Sequence, residues 1–406
     1  MNIENEIGNV QLMQKINRLK VLNFIRQKGE VARPEIAKNT GLSPSSITNI
    51  VSYLLEKKLV MEVGRVDSKE VGRKATLIRF NPSAATIISV NIETSKVDAA
   101  LTDLEGNILH KKEIAVGHAI KSFEILNILK KEINSLINEA EARNLPHIAG
   151  IGIAVSGLVL DDKKLVISSS LKWREFSLKE YFEDLLHIPV YLQNNSRTKA
   201  LAVLKKKQGE FEKNIVFLDL TMGIGIINFY DQKINEAVIG EFGHTSVKKD
   251  GPLCFCGNRG CIEVMCSVET ILNQCSELLD QGKCKILKNI LEDEGLPLSY
   301  ETIIKAFDEG DGDVRDVLKE CGEYLGVGIA NIINIFNPQR IIINGDILLT
   351  CGFIFETAVK EAGSRAYEQF TKDLKYEKVN IDSEQAIRGV SLFVAEKLFD
   401  LAGPEW

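Results

Sequence analysis

Between Leu12 and Ile25 apolar side chains recur at Leu12, Ile16, Leu19, Leu22 and Ile25, the three-to-four spacing of an amphipathic helix that ends near Lys28-Gly29. Pro34 suits the first turn of a short second helix, which Gly41 breaks. Ser43 followed by Pro44 reads as a cap and first turn, after which Ile47, Val51, Leu54 and Leu55 line one face of a third helix. Two helices joined by a tight glycine turn are the helix-turn-helix pattern. Leu59 to Val66 and Thr76 to Phe80 then predict two strands flanking the polar loop 67–74, a wing. The residues off the apolar stripe, Ser45, Ser46, Thr48 and Asn49, are the candidates for base contacts, and Arg73 and Lys74 on the wing for phosphates or a minor groove.

A different pattern starts after the connector at 79–84. Ala85 to Val90, Lys96 to Asp103 and Gly106 to Ile114 predict three strands, and a helix follows at about Phe123 to Arg143. Ile148 to Val155 reads as a buried strand, Ile188 to Gln193 as another, with a helix from about Ser196. Similar signals restart at Asn214 to Leu220 and run on through Asn228 to Val238 into a helical second half. The expected architecture is α/β: a winged helix-turn-helix over 1–80, then a two-lobed body over 81–406. Lobe one covers about 83–200 plus a C-terminal helix at about 385–402, and lobe two about 210–384. A cleft between two lobes is the default place for a ligand.

With 406 residues, 45% hydrophobic and 26% charged, the chain can form sizeable cores and is neither disordered nor fibrous. No apolar run is long enough for a bilayer span and the start is not a signal peptide, so a cytoplasmic location and no membrane partner are expected. The net charge of −6 hides an asymmetry. Residues 1–80 hold 14 Lys/Arg against 8 Asp/Glu, a surplus of +6, and the remainder 36 against 48, or −12. A basic head on an acidic body points to a polyanion as the head's partner.

Eight cysteines are too few for a disulfide scaffold, and three of them crowd together with a histidine: His244, Cys254, Cys256 and Cys261. One imidazole and three thiolates suit tetrahedral zinc, and with no open position such a site is structural, one ion per chain. The alternative is a set of reduced, buried or redox cysteines. Glu241 and Glu263 flank this loop, and Gln193-Asn194-Asn195 ends a strand of the other lobe. Carboxylates and amides converging on a cleft are what polyhydroxylated ligands select.

The winged helix-turn-helix, followed by Gly150-Ile-Gly-Ile-Ala-Val-Ser-Gly157, Gly240-Glu-Phe-Gly-His244 and Cys254-Phe-Cys-Gly-Asn-Arg-Gly-Cys-Ile-Glu263, closely resembles the ROK family of repressors and sugar kinases across essentially the whole chain. Its zinc-containing xylose repressors are the nearest in pattern. The resemblance implies an actin-like, hexokinase-like fold, zinc on His244 and the three cysteines, and a sugar pocket at Ser156, Gly157, Asn194, Asn195, Glu241, His244 and Glu263. His244 would hold the metal with one ring nitrogen and face sugar with the other. The family's kinases carry an aspartate base where this chain has Asn195, and an amide cannot accept the sugar's proton. Their first phosphate loop, Asp-x-Gly-Gly-Thr, reads here Asn91-Ile-Glu-Thr-Ser95, with Glu93 repelling triphosphate, while Thr221-Met-Gly-Ile-Gly225 keeps part of the second. The implied function is a non-enzymatic, sugar-responsive repressor that binds operator DNA as a homodimer or homotetramer and controls carbohydrate utilisation, with xylose the candidate sugar. The alternative is an ATP-dependent sugar kinase.

Overall fold

The structure, a computed structural model, describes residues 10–66, 75–93, 95–116, 122–160, 165–168, 171, 173–207, 212–221, 223–231, 233–235, 241–345 and 350–400. Helices α1 (Val10–Lys28), α2 (Arg33–Thr40) and α3 (Pro44–Glu56) each bury one stripe: Leu22 and Ile25, Ile36, and Ile47, Val51 and Leu54. Gly41 closes α2 in the left-handed region, at φ 71°, and its N–H donates to the Ala37 carbonyl. Ser43 then opens α3, its Oγ accepting the Ser46 N–H at 3.1 Å. Strands β1 (Val31–Ala32), β2 (Val60–Val66) and β3 (Ala75–Phe80) form a sheet of order β1-β3-β2, which completes a winged helix-turn-helix.

The first lobe is built on β4 (Thr86–Ile92), β5 (Lys96–Thr102), β6 (Ile108–Ala115), α4 (Ser122–Ala142) and β7 (Ile148–Val155). A small antiparallel sheet follows, β8 (Leu158–Leu160), β9 (Leu165–Ser168) and β10 (Trp173–Phe176), then α5 (Leu178–Leu186), β11 (Val190–Asn194) and α6 (Asn195–Lys206). The main sheet has the order β11-β7-β4-β5-β6, with β11, β7 and β4 parallel. Every residue of β4 is buried, as expected for a strand covered on both faces.

The second lobe begins with β12 (Asn214–Asp219), β13 (Gly225–Tyr230) and β14 (Lys233–Ile234) and continues through α7 (Ile262–Cys266), α8 (Val268–Asp280), α9 (Lys285–Glu294), α10 (Tyr300–Asp308) and α11 (Gly312–Phe336). It ends with β15 (Arg340–Asn344), α12 (Gly352–Arg365), α13 (Glu368–Thr371) and β16 (Lys375–Val379). Its sheet runs β14-β13-β12-β15-β16, with β12, β15 and β16 parallel. The last helix, α14 (Ser383–Leu398), returns to the first lobe and lies against α6. The approach requires glycine at 389, where a Cβ would sit 2.0 Å from the Thr198 carbonyl oxygen.

Head and body share one apolar core. Leu22, Ile25 and Phe80 cluster with Leu104 and Leu201 of the first lobe and with Phe393, Leu398 and Phe399 around α14. The Phe80 and Phe399 rings meet edge to face at 5.7 Å, and the Arg26 guanidinium lies over both, 5.2 and 4.6 Å from their centres. No helix among the described residues is long and apolar enough to cross a membrane.

Candidate functional site

The metal-type quartet comes together as its spacing requires. The donor atoms of His244, Cys254, Cys256 and Cys261 all lie within 4.8 Å of one another, a group that can hold a metal ion. Cys254 Sγ is 3.5 Å from His244 Nδ1, and Cys256 Sγ is 3.7 Å from Cys261 Sγ. The loop doubles back at Gly260, where φ is 62° and a Cβ would fall 1.7 Å from the Lys248 carbonyl oxygen, so no other residue fits. Burial pushes the Cys261 thiol up to about 12, with Cys256 and Cys254 adding to the rise.

Cys261 is also the residue before α7, so the loop sets the start of that helix and places Glu263 in its first turn. A carboxylate oxygen of Glu263 lies 2.6 Å from where a Cβ on Gly223 would be and 3.4 Å from one on Gly243. The acid therefore rests between two glycine-bearing segments, and larger residues there would displace it. Glu241, before the short turn 242–244, keeps solvent access, yet the protein packed around its carboxyl pushes its pKa up, with His244 opposing and the Glu263 charge adding to the rise. Glu241 thus lies within electrostatic reach of both His244 and Glu263, an acidic group beside the metal loop.

On the first lobe, Asn194 ends β11 and caps α6. Its Nδ2 donates to the Gly157 carbonyl at 2.8 Å, which brings Gly157 and the neighbouring Ser156 to the helix N-terminus. Asn195 follows as the first residue of α6 and is only 3% exposed, at the C-terminal ends of the parallel strands β11 and β7, where α/β folds place ligands. At the first phosphate-type loop, Asn91 Nδ2 donates to Glu93 Oε1 at 3.2 Å.

One cluster escaped the sequence reading. Asp219, at the end of β12, accepts from Ser196 Oγ (2.7 Å), Asn344 Nδ2 (2.8 Å) and Thr221 Oγ1 (3.2 Å), and faces Lys199 Nζ at 3.6 Å. Both charged partners are buried, Lys199 at 2% and Asp219 at 1% exposure. The available signal is a lysine directly before the small and apolar run Ala200-Leu-Ala-Val203.

In the head, Ser45, Thr48 and Asn49 are exposed on α3 and Ser46 is half-buried. The Ser46 hydroxyl sits 2.8 Å from that of the capping Ser43, and Thr48 Oγ1 donates to the Pro44 carbonyl at 2.9 Å. Their hydroxyls therefore already serve the helix, while the Asn49 amide projects outward from it. Arg73 and Lys74 lie outside the described residues.

A family model described as "ROK family" matches residues 87–397. The chain belongs to the ROK family. The head is covered by similarity to individual ROK proteins: a xylose repressor of Bacillus spizizenii is 27% identical over 402 residues, 98% of this chain and 99% of the relative. Among solved structures, a ROK family transcriptional regulator, a homologue of the Escherichia coli Mlc protein, superposes with a TM-score of 0.78 at 26% identity over 96% of this chain and 98% of its own. A ROK family glucokinase from Streptomyces griseus, solved with glucose and AMPPNP, gives 0.62 at 21% identity over 76% of this chain and 98% of its own. That likeness identifies the body as the two-lobed actin-like fold.

Proposed function

We propose that this ROK protein is a sugar-responsive, DNA-binding transcriptional repressor of carbohydrate-utilisation genes, xylose among the candidate effectors. Residues 1–80 form its operator-reading head and 81–406 its sensor. The observation that carries the reading is that the helix-turn-helix packs into the same apolar core as the kinase-shaped body, through Phe80, Leu201 and Phe399. A rearrangement of the lobes therefore reaches the head through packed side chains rather than a loose tether. Similarity to a repressor along nearly the whole chain points the same way.

In this account the sugar lies between Ser156, Gly157, Asn194 and Asn195 of one lobe and Glu241, His244 and Glu263 of the other. Zinc fits the four donors. Zn–S bonds of about 2.3 Å and Zn–N bonds of about 2.0 Å give tetrahedral edges of about 3.8 Å between sulfurs and about 3.5 Å between sulfur and nitrogen; the Cys256–Cys261 sulfurs are 3.7 Å apart and Cys254 Sγ is 3.5 Å from His244 Nδ1. His244, Cys254, Cys256 and Cys261 would hold the zinc, which would supply a rigid cross-link that fixes the approach to Glu263 and would leave His244 Nε2 to the sugar. The head binds a palindromic operator as part of a homodimer or homotetramer, with half-sites spaced by whole turns of about 10 base pairs. The protein works in the cytoplasm.

The glucokinase-like body favours a second reading, an ATP-dependent sugar kinase. Asn195 opposes it, since an amide is not a proton acceptor for the sugar hydroxyl, as does the carboxylate of Glu93 beside the first phosphate-type loop. A footprint of the full-length protein on its own upstream DNA, with and without xylose, glucose and N-acetylglucosamine, tests the repressor. A protected palindrome that changes with one sugar is expected. Coupled-assay turnover of ATP with any of these sugars would replace this reading with the kinase.

A further inference from the structure

The buried cluster around Asp219 sits where the chain crosses between lobes. Ser196 and Lys199 come from α6 in the first lobe, and Asp219 and Thr221 from the end of β12 and the loop after it in the second. Asn344, at the end of β15 and paired with Asp219 of β12, donates one N–H to that carboxylate at 2.8 Å and accepts the Ile381 N–H at 3.0 Å. Ile381 leads into α14, the segment by which the chain returns to the first lobe. One network thus ties both crossings, the exit after α6 and the return before α14. Those two helices lie against each other and supply Leu201, Phe393 and Leu398 to the core shared with the head.

The chemistry of the cluster is complete without a ligand. Asp219 receives hydrogen bonds from Ser196, Thr221 and Asn344 together with the Lys199 charge, and Lys199 Nζ also donates to Thr221 Oγ1 at 3.0 Å. Thr221 opens the glycine loop that runs to Gly225, so the chain's own ammonium engages the first hydroxyl of a segment that phosphate would otherwise approach. A buried pair of this kind contributes little net stability compared with apolar residues of like volume; the best-attested use of such groups in other proteins is to fix a register or a switch. Α6 starts at Asn194 and Asn195 and reaches Leu201 six residues later, a rise of about 9 Å, so one rigid rod joins the proposed sugar amides, the ion pair and the head's core.

We propose that Lys199 is a positioning residue for the sugar response: its ion pair with Asp219 holds the hinge between the lobes, so that closure on sugar turns α6 and α14 together and moves the head. The assignment rests on the repressor reading, and its tests separate the two. In the full-length protein, Lys199→Met combined with Asp219→Asn removes both buried charges while keeping volume and the hydrogen bond to Asn344. The first readout needs neither sugar nor DNA. Amide hydrogen exchange is expected to quicken at least tenfold in α6, in residues 380–383 and in α1, while the metal loop and the thermal midpoint stay as in the native protein. Faster exchange confined to the immediate surroundings of residues 199 and 219, with α1 unchanged, would overturn the hinge. In the second readout, operator affinity is compared with and without whichever of xylose, glucose or N-acetylglucosamine raises the native thermal midpoint. A native response of about 5- to 150-fold is expected to fall below about twofold in the variant, with sugar affinity by calorimetry within about threefold of native. A variant that still couples sugar to operator as the native chain does contradicts the proposal. A native chain that binds no operator removes the repressor reading, and exchange alone then decides the hinge.

Discussion

The Asn194 side chain joins the turn after β7 to the start of α6: Nδ2 donates to the Gly157 carbonyl at 2.8 Å, while Oδ1 accepts the Arg197 N–H at 3.3 Å. One amide therefore caps α6 and clamps the turn after β7. Asn194→Ala is expected to lower stability by about 1–2 kcal/mol, the usual loss of a helix cap plus a net hydrogen bond, and to abolish the sugar-induced rise in thermal midpoint. Chemical denaturation and calorimetry check the two parts. A variant that loses stability but binds sugar at native strength removes Asn194 from the pocket.

The metal loop makes a linked prediction. Cys256 is exposed, so Cys256→Ser perturbs no apolar packing, yet it is expected to lose the metal and the sugar response together, because Glu263 depends on the loop ending at Cys261. Metal content by mass spectrometry, measured beside the operator response, checks this. Retention of the full response by a zinc-free variant would show that the loop does not position the acids.

Asn195→Asp restores a carboxylate at the position of the family's catalytic base. No ATP-dependent phosphorylation is expected, because Glu93 remains, held by Asn91 at 3.2 Å. Turnover in a coupled assay by this single variant would show that the nucleotide site is intact.

Acid should weaken the second lobe in a defined window. Glu212 accepts two hydrogen bonds from Arg340, at 2.7 and 2.8 Å, and these hold its carboxyl at about 2, against an ordinary 4.5. A depressed folded-state value means that the stabilisation is fully present above pH 4.5 and is lost as pH falls from there towards 2. With both side chains partly solvated, the loss is about 1–3 kcal/mol. Denaturation midpoints followed against pH should show this decline in the native chain and a shallower one in Arg340→Ala. Equal slopes would assign the acid sensitivity elsewhere.

In the head, Asn49 is exposed on α3, and Asn49→Ala is expected to cost about 1–3 kcal/mol at one operator position while leaving the salt dependence of binding unchanged. Systematic base substitution in a binding assay reads this. A uniform loss across all sequences would make Asn49 a backbone contact.

How far these features were legible in the sequence depends on how local their causes are. The head's helices follow from apolar spacing and from Gly41 and Ser43, each acting within one turn, and His244 and the three cysteines lie within one loop. Two-residue β1 and the small sheet β8–β10 carry too few alternating positions to register as strands. The capping role of Asn194 shows only once β11 is seen to end against α6. The pair Lys199–Asp219 was invisible because its members belong to separate elements of separate lobes, and Asn344 lies a further 125 residues from Asp219.

The central claim is that a kinase-shaped cleft reports a carbohydrate to a groove-reading helix. Competition anisotropy measures it most directly, using the full-length protein, a labelled duplex from its own upstream region, random duplex as competitor at moderate salt, and the three sugars in turn. The account predicts at least about a thousandfold preference for one upstream sequence, changed by about 5- to 150-fold by one sugar. Equal affinity for upstream and random duplex, unaltered by every sugar, would contradict it.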